Sequence, residues 1–226
     1  MRFRGVGILA TDFVREREAM VERQLRRRGI REPEILDAFR AVPREKFVGS
    51  AHAHLAYGDH PLPIEANQTI SQPNIVALMI QAAAIAPGDR VLEVGAGSGY
   101  AAAVISRIAA RVIGIERQHE LVEVARERLR RLGYDNVEIL EGDGTRGCPA
   151  EAPFDAILAA ASGSHVPSAL VAQLAPGGRI VMPIGEPGLP QELVKVTKQE
   201  DGILKQENLG GVRFVPLIGE EGWSDA

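Results

Sequence analysis

The sequence predicts an α/β protein built on a Rossmann-like, mostly parallel sheet, with a helical extension at its N-terminus and antiparallel strands at its C-terminus. Three observations carry that expectation. From residue 90, short apolar segments alternate with amphipathic ones in a strand–helix rhythm. The apolar segments, such as Val112-Ile113-Gly114-Ile115 and 156–161 (AILAAA), lack the alternation of a half-exposed strand, as expected where helices cover both faces. The first of them runs directly into Gly95-Ala96-Gly97-Ser98-Gly99, ahead of an alanine-rich helix.

The helical extension comes first. Phe13, Met20, Val21 and Leu25 recur near the helical period, and Gly29 stands where a helix stops. Pro33 announces a second helix, with Ile35, Leu36, Phe39 and Val42 as its buried stripe and Pro43 as its end. Residues 49–70 hold no sustained period and carry two prolines, so a structured loop with room for a short strand is expected. Pro73 then opens a helix that runs to Ala86 and is closed by Pro87-Gly88. Strands are expected at Arg90–Val94, Val112–Glu116, Val137–Glu141, Phe154–Ala159 and Arg179–Pro183. The clearest intervening helix, 118–133, places Leu121, Val124, Ala125, Leu129 and Leu132 on one face. Near the C-terminus 192–199, 203–209 and 212–218 read as antiparallel strands, the first two joined at Asp201-Gly202. The final segment around Trp223 is expected to be frayed. One domain is expected over 1–226, divided into a helical region (13–80), an α/β core (88–185) and antiparallel strands (190–219).

Composition narrows the function classes. A chain of 226 residues with 45% hydrophobic and 25% charged residues is ordinary for a globular protein. A single cysteine, Cys148, excludes a disulfide framework and any thiolate cluster. The five histidines contain no H-x-x-x-H pair, and no metal is expected. Net charge is −4, and the only basic run, Arg26-Arg27-Arg28, reads as a solvated helix face; no nucleic-acid partner is expected. The N-terminal apolar patch is shorter than the ~7–15 residues of a secretory h-region, and no stretch approaches the ~20 of a membrane span. A cytoplasmic protein with no membrane partner is the expectation.

The segment VLEVGAGSGY (91–100) carries the sharpest chemistry. Its glycines allow a tight turn and close approach of backbone to ligand. The spacing is G-x-G-x-G rather than the G-x-G-x-x-G of dinucleotide sites, and Glu93 on the strand would repel a pyrophosphate. A ligand with an amino group or a sulfonium would be attracted instead, which favours S-adenosylmethionine over a nicotinamide cofactor. Glu116, ending the second strand, can accept both hydroxyls of a ribose, and Asp143, after the third, can accept from an adenine amino group. By itself Ser71, just ahead of Pro73, reads as a helix N-cap hydroxyl. His165 and Cys148 read as loop bystanders.

Further motifs raise a resemblance. The segments 29–48 (GIREPEILDAFRAVPREKFV), 57–64 (YGDHPLPI), 68–73 (QTISQP), VLEVGAGSGY, 142–144 (GDG) and 212–219 (VRFVPLIG) stand in the order found in protein-L-isoaspartate O-methyltransferases, over about residues 13–219. The glycine motif is shared by many methyltransferases; the VPRE, TISQP and RFVPL elements are far more specific. The resemblance implies a modified Rossmann-like methyltransferase sheet. It also implies methylation, by S-adenosylmethionine, of the α-carboxylate of isoaspartyl residues in damaged proteins and peptides, with S-adenosylhomocysteine as product and D-aspartyl substrates left open. Carried over by position, Ser71 matches the active-site serine, and Thr69 and Ile70 its neighbours at the transfer site. Glu93, Gly95, Ala96, Gly97, Ser98, Gly99, Glu116, Arg117, Asp143 and Gly144 match cofactor contacts. Ser71 and Phe214-Val215-Pro216 match the segments that hold the substrate peptide. Two departures stand out: Glu65-Ala66-Asn67, where a glycine-rich loop is usual, and Asn74, where a bulkier residue is common. Glu65 places a negative charge near an anionic substrate, so reduced substrate affinity is the expectation.

A carboxylate with a pKa near 4 is ionised at neutral pH and needs no general base to attack a methyl group. Positioning of the two reactants is then the main catalytic device, with Ser71 orienting the substrate carboxylate. A dedicated peptide aspartate methyltransferase and a non-catalytic S-adenosylmethionine-binding module remain as alternatives, and a monomer is expected.

Overall fold

The structure, a computed structural model, describes residues 10–225, with side chains from Phe13 onward. The N-terminal patch read as too short for a secretory signal lies outside them. Helix α1 (Ala10–Met20) continues through a π-helical turn at Val21–Leu25 and a 3₁₀ turn at Arg26–Arg28. Gly29, at φ 103°, ends it, as its backbone freedom predicts. Helix α2 (Pro33–Ala41) buries Ile35, Leu36 and Phe39, and Val42 caps it from the buried side.

Residues 44–70 are irregular but ordered. They form 3₁₀ turns at Arg44–Lys46, Ser50–Leu55 and Glu65–Asn67, and a small antiparallel pair of β1 (Leu62–Pro63) and β2 (Thr69–Ile70). Helix α3 (Pro73–Ala83) stops before the expected Ala86, with Ala84 left-handed at φ 49°. The reason is tertiary: Arg179 reaches across and donates to the carbonyls of Ala83 (2.7 Å) and Ala84 (3.0 Å), which the helix end leaves open.

Then follow β3 (Arg90–Val94), α4 (Tyr100–Ile105), β4 (Arg111–Glu116), α5 (His119–Leu132), β5 (Val137–Glu141), β6 (Phe154–Ala159), α6 (Ser168–Ala172), β7 (Leu174–Ile184), β8 (Gln191–Lys198) and β9 (Leu204–Val212). These strands form one sheet in the order β5-β4-β3-β6-β7-β8-β9, parallel through β7 and antiparallel beyond it. Neighbouring strand residues face opposite cores. Val91 and Val112 pack with α1–α5, whereas Leu92 and Ile113 pack with α6 and Leu217. Right-handed crossovers account for the division: α4 and α5 serve strands added on one side of β3, and α6 serves those added on the other.

The C-terminal part differs from the sequence reading in two places. Residues 213–218 are not a third antiparallel strand. Their backbone pairs instead with Ser162, whose N–H donates to Val215 O (2.8 Å) and whose carbonyl accepts from Leu217 N (2.8 Å), so the segment crosses the carboxyl ends of the parallel strands. Nor is the segment around Trp223 frayed. Trp223 donates its backbone N–H to Leu217 O (2.8 Å) and its indole N–H to Ser162 O (2.9 Å). Among the described residues no helix is long and apolar enough to cross a membrane.

Candidate active site

Strand β3 lies between β4 and β6, so the chain departs in opposite directions on its two sides. At such a switch point the carboxyl ends of the strands leave a crevice. The glycine loop fills its floor. Gly95, Gly97 and Gly99 have φ of 81°, 53° and 84°, all in the left-handed region. The loop is tied to β4: Gly95 N and Ala96 N donate to Ile115 O (2.8 and 3.1 Å), and Gly97 N donates to Glu116 Oε2 (3.0 Å).

Three cavities meet above this loop. A cavity of about 510 Å³ runs along Gly95, Gly97, Glu116, Arg117 and Gly144 to the C-terminal segment at Leu217 and Trp223. A small inner cavity of about 50 Å³ is bounded by Ile70, Ser71, Glu93, Ala96, Ser98 and Tyr100. An open groove of about 700 Å³ lies between Ser71, Ile75, Leu189, Phe214 and Val215. Thr69 and Ala160 border all three, and Ser71 borders both the groove and the inner cavity. The two larger spaces fall in the ~300–1,000 Å³ range of small-molecule sites.

The acidic residues differ in state. Glu93 is buried, its Oε2 has no partner, and burial with the neighbouring Glu116 carboxylate pushes its pKa up to about 8. A buried, unpartnered carboxyl group beside a cavity is what a cationic ligand end requires. Glu116 accepts from Gly97 N through Oε2 and from Gln118 N (2.9 Å) through Oε1, leaving a lone pair on each oxygen free toward the cavity it borders. Asp143 is occupied otherwise: Oδ1 accepts from Thr145 N (2.8 Å) and Oγ1 (2.7 Å), and Oδ2 from Glu220 N (2.8 Å). Burial opposes its ionisation, but these donors hold its pKa below the usual range. Asp143 thus braces the C-terminal segment, while its neighbour Gly144 lines the large cavity.

Ser71 does not cap α3. Gln72 is the N-cap, without a side-chain bond, and the Ser71 hydroxyl makes no hydrogen bond among the described residues. Phe214 and Val215 line the groove, whereas Pro216 borders the 510 Å³ cavity. Gly99 lines neither space; it starts α4 and packs against Leu129. The departures from the family pattern also find a physical account. Ala66 and Asn67 adopt left-handed φ of 52° and 55°, which explains why glycine suits that loop. Glu65 accepts two bonds from Arg128 (2.6 and 3.2 Å); burial opposes ionisation, but Arg128 holds the pKa low, so the charge is paired away from the groove. Asn74 lines none of the three cavities.

Several residues of the site carry no signal in the sequence. Buried Gln191 accepts from Phe214 N (2.7 Å) and donates to Phe214 O (3.1 Å) and Ser162 Oγ (2.9 Å), fixing the groove's wall. Nothing in a lone glutamine opening a strand foretells a partner 23 residues on. Trp223 joins the wall of the 510 Å³ cavity, where Asp225 pairs at the rim with Arg117, a residue the resemblance had already marked as a cofactor contact. Trp223 offered the one available signal, as the sole tryptophan of the chain.

Comparison with known proteins gives the family and the overall fold. A family profile described as protein-L-isoaspartate(D-aspartate) O-methyltransferase matches residues 15–222. A protein-L-isoaspartate O-methyltransferase 2 of Pelobacter propionicus is 54% identical over 207 residues, covering 92% of both chains. A protein-L-isoaspartate O-methyltransferase of Methylorubrum extorquens is 55% identical over 214 residues, covering 95% of this chain and 93% of its own. A solved protein-L-isoaspartate O-methyltransferase superposes with TM-score 0.82 at 32% identity, over 91% of this chain and 66% of that one. A Plasmodium falciparum structure named for the same family, in complex with S-adenosyl-L-homocysteine, gives TM-score 0.77 at 29% identity, over 89% and 98% of the two chains. With the profile spanning nearly all of the chain and half of the residues shared with such relatives, the chain belongs to the protein-L-isoaspartate (D-aspartate) O-methyltransferase family.

Proposed function

We propose that this chain transfers the methyl group of S-adenosylmethionine to the α-carboxylate of L-isoaspartyl residues in damaged proteins and peptides, initiating repair through a succinimide. The observation that carries the reading is the meeting of three cavities at Thr69 and Ala160, with Ser71 on the border between groove and inner cavity. Such a junction lets two ligands enter separately and meet at one point.

The residues fit S-adenosylmethionine. Glu93 would hold the cationic end, the glycine loop would lie beneath, Glu116 would accept from the ribose hydroxyls, and Gly144, Leu217 and Trp223 would border the base. Thr69, Ile70, Ala96 and Ser98 enclose the inner cavity between the two reactants. When bound, the cofactor supplies a methyl group made electrophilic by the sulfonium. The isoaspartyl chain lies in the groove along Phe214 and Val215, held by backbone groups that Gln191 keeps in place. Ser71 would donate its hydroxyl hydrogen to the substrate carboxylate and so orient it for attack on the methyl group. Among the described residues no His, Cys or Lys lines any of the three spaces, and none is required, because the attacking carboxylate is already ionised. Catalysis rests on orientation and exclusion of water around opposite charges that neutralise as they react. A cytoplasmic, monomeric protein with no nucleic-acid or membrane partner belongs to the same reading.

The test is methyl transfer from labelled S-adenosylmethionine to two peptides that differ only in an aspartyl or isoaspartyl linkage. Base-labile label on the isoaspartyl peptide alone is expected. Label on the aspartyl peptide would point to a dedicated tailoring enzyme, and label on neither to a binding module.

A further inference from the structure

The most unusual buried group in the molecule is Arg44. It is fully buried, yet no carboxylate pairs with it among the described residues. Its neighbour Glu45 is turned instead to Tyr57 and Arg17. The guanidinium donates through Nε to Ala56 O (2.8 Å) and through Nη2 to Ser71 O (2.8 Å), lies 4.7 Å above the Tyr100 ring, and leaves Nη1 without a partner. Burial lowers its pKa and the polar ends of Tyr100 and Tyr57 work against that; an arginine remains charged all the same. An uncompensated buried cation is destabilising, and apolar replacements of similar volume are often neutral or stabilising. Packing therefore does not explain it.

Its contacts do. Ser71 is the residue on the border of groove and inner cavity, and Tyr100, the first residue of α4, lines that same inner cavity beside Glu93. Arg44 thus joins the serine's backbone to the helix that issues from the glycine loop. We propose that Arg44 is a positioning residue for methyl transfer: it holds Ser71 in register with the cofactor loop and sets a positive charge behind the serine, where a substrate carboxylate docks. The inference rests on the isoaspartyl reading above.

The test is a double-mutant cycle of Arg44→Met and Ser71→Ala, with S-adenosylhomocysteine binding followed by calorimetry and kinetics measured on an isoaspartyl peptide. Misplacing a reacting group by about 1 Å costs on the order of 10²-fold. R44M should therefore fold, bind S-adenosylhomocysteine within about threefold of the parent, and lose roughly 10²-fold in kcat/KM. In the Ser71→Ala background the same substitution should cost less than about tenfold, because the part of its effect that passes through the Ser71 hydroxyl is already lost and only the charge behind it remains. Arg44→Lys, which keeps the charge without the planar fork, should recover part of the loss. Parent-like kcat/KM in R44M, equal losses in both backgrounds, or a loss of product binding matching the loss of activity would each overturn the proposal. If R44M does not fold, R44K carries the same cycle; if neither folds, Arg44 is a determinant of the fold and the proposal is wrong. A parent enzyme inactive on the isoaspartyl peptide would overturn the functional reading instead.

Discussion

Replacing Glu93 by glutamine removes a titration that the structure makes quantitative. The carboxyl group is fully buried and partnerless at Oε2, and its pKa rises from an ordinary 4.5 to about 8, from burial first and the Glu116 charge second. Below pH 4.5 the group is protonated in folded and unfolded chains alike and leaves stability unchanged. Between 4.5 and about 8 the unfolded chain loses a proton that the folded chain keeps, so the ligand-free protein loses ~1.4 kcal/mol of stability per pH unit. Above about 8 the loss levels off at about 5 kcal/mol. Glu93→Gln should therefore gain on the parent steadily from pH 5 to pH 8, by about 3 kcal/mol near neutrality, and then hold constant. A fixed offset from the buried amide does not change that slope. Urea unfolding of both proteins at several pH values measures it, and a difference independent of pH would refute the argument. The same carboxyl group should ionise when a cation binds beside it. Calorimetry of S-adenosylmethionine binding near pH 7, in two buffers of different ionisation enthalpy, should show about one proton released by the parent and none by E93Q. Binding without proton release would remove the cationic end of the ligand from Glu93.

Ser71→Ala should lower turnover about 10- to 100-fold, the worth of a hydrogen bond to a charged group, while affinity for S-adenosylmethionine, followed by fluorescence of the sole tryptophan Trp223, stays near the parent's. A comparable loss of cofactor affinity would take Ser71 out of the carboxylate-orienting role. Gln191→Leu strands the N–H and carbonyl of Phe214 and should cost about 2–4 kcal/mol in stability while raising KM for the isoaspartyl peptide; unchanged denaturation and kinetics would show that Gln191 does not hold the groove wall. Ala66→Gly relieves a left-handed alanine at φ 52° and should stabilise the protein by up to about 1 kcal/mol in urea, offset in part by the entropy glycine adds to the unfolded chain. A clear destabilisation would mean that the Ile64–Gln68 loop carries no strain there.

The sequence by itself determined the α/β class, the parallel strands and the glycine loop, because each is written in local signals: continuous apolar runs, helical periodicity, and glycines where the chain must turn left-handed. It also named Glu93, Glu116, Ser71 and the 213–218 segment, the last two through motifs whose meaning came from resemblance. Tertiary structure alone decided how these residues act. Glu93 and Glu116 lie near the carboxyl ends of neighbouring strands, yet Oε2 of the first is left without a partner and both oxygens of the second are bound by backbone N–H groups, a difference set by what packs around each. The helix after Pro73 ends early because Arg179, 95 residues from Ala84, satisfies its last carbonyls. The 213–218 segment leaves the sheet to pair its backbone with Ser162, and Trp223 follows it. Arg44 and Gln191 act through partners 27 and 23 residues away, and local propensity holds no record of such contacts. Hydrophobic pattern fixes which face of an element is buried; which polar group meets which backbone atom is fixed only when the layers close.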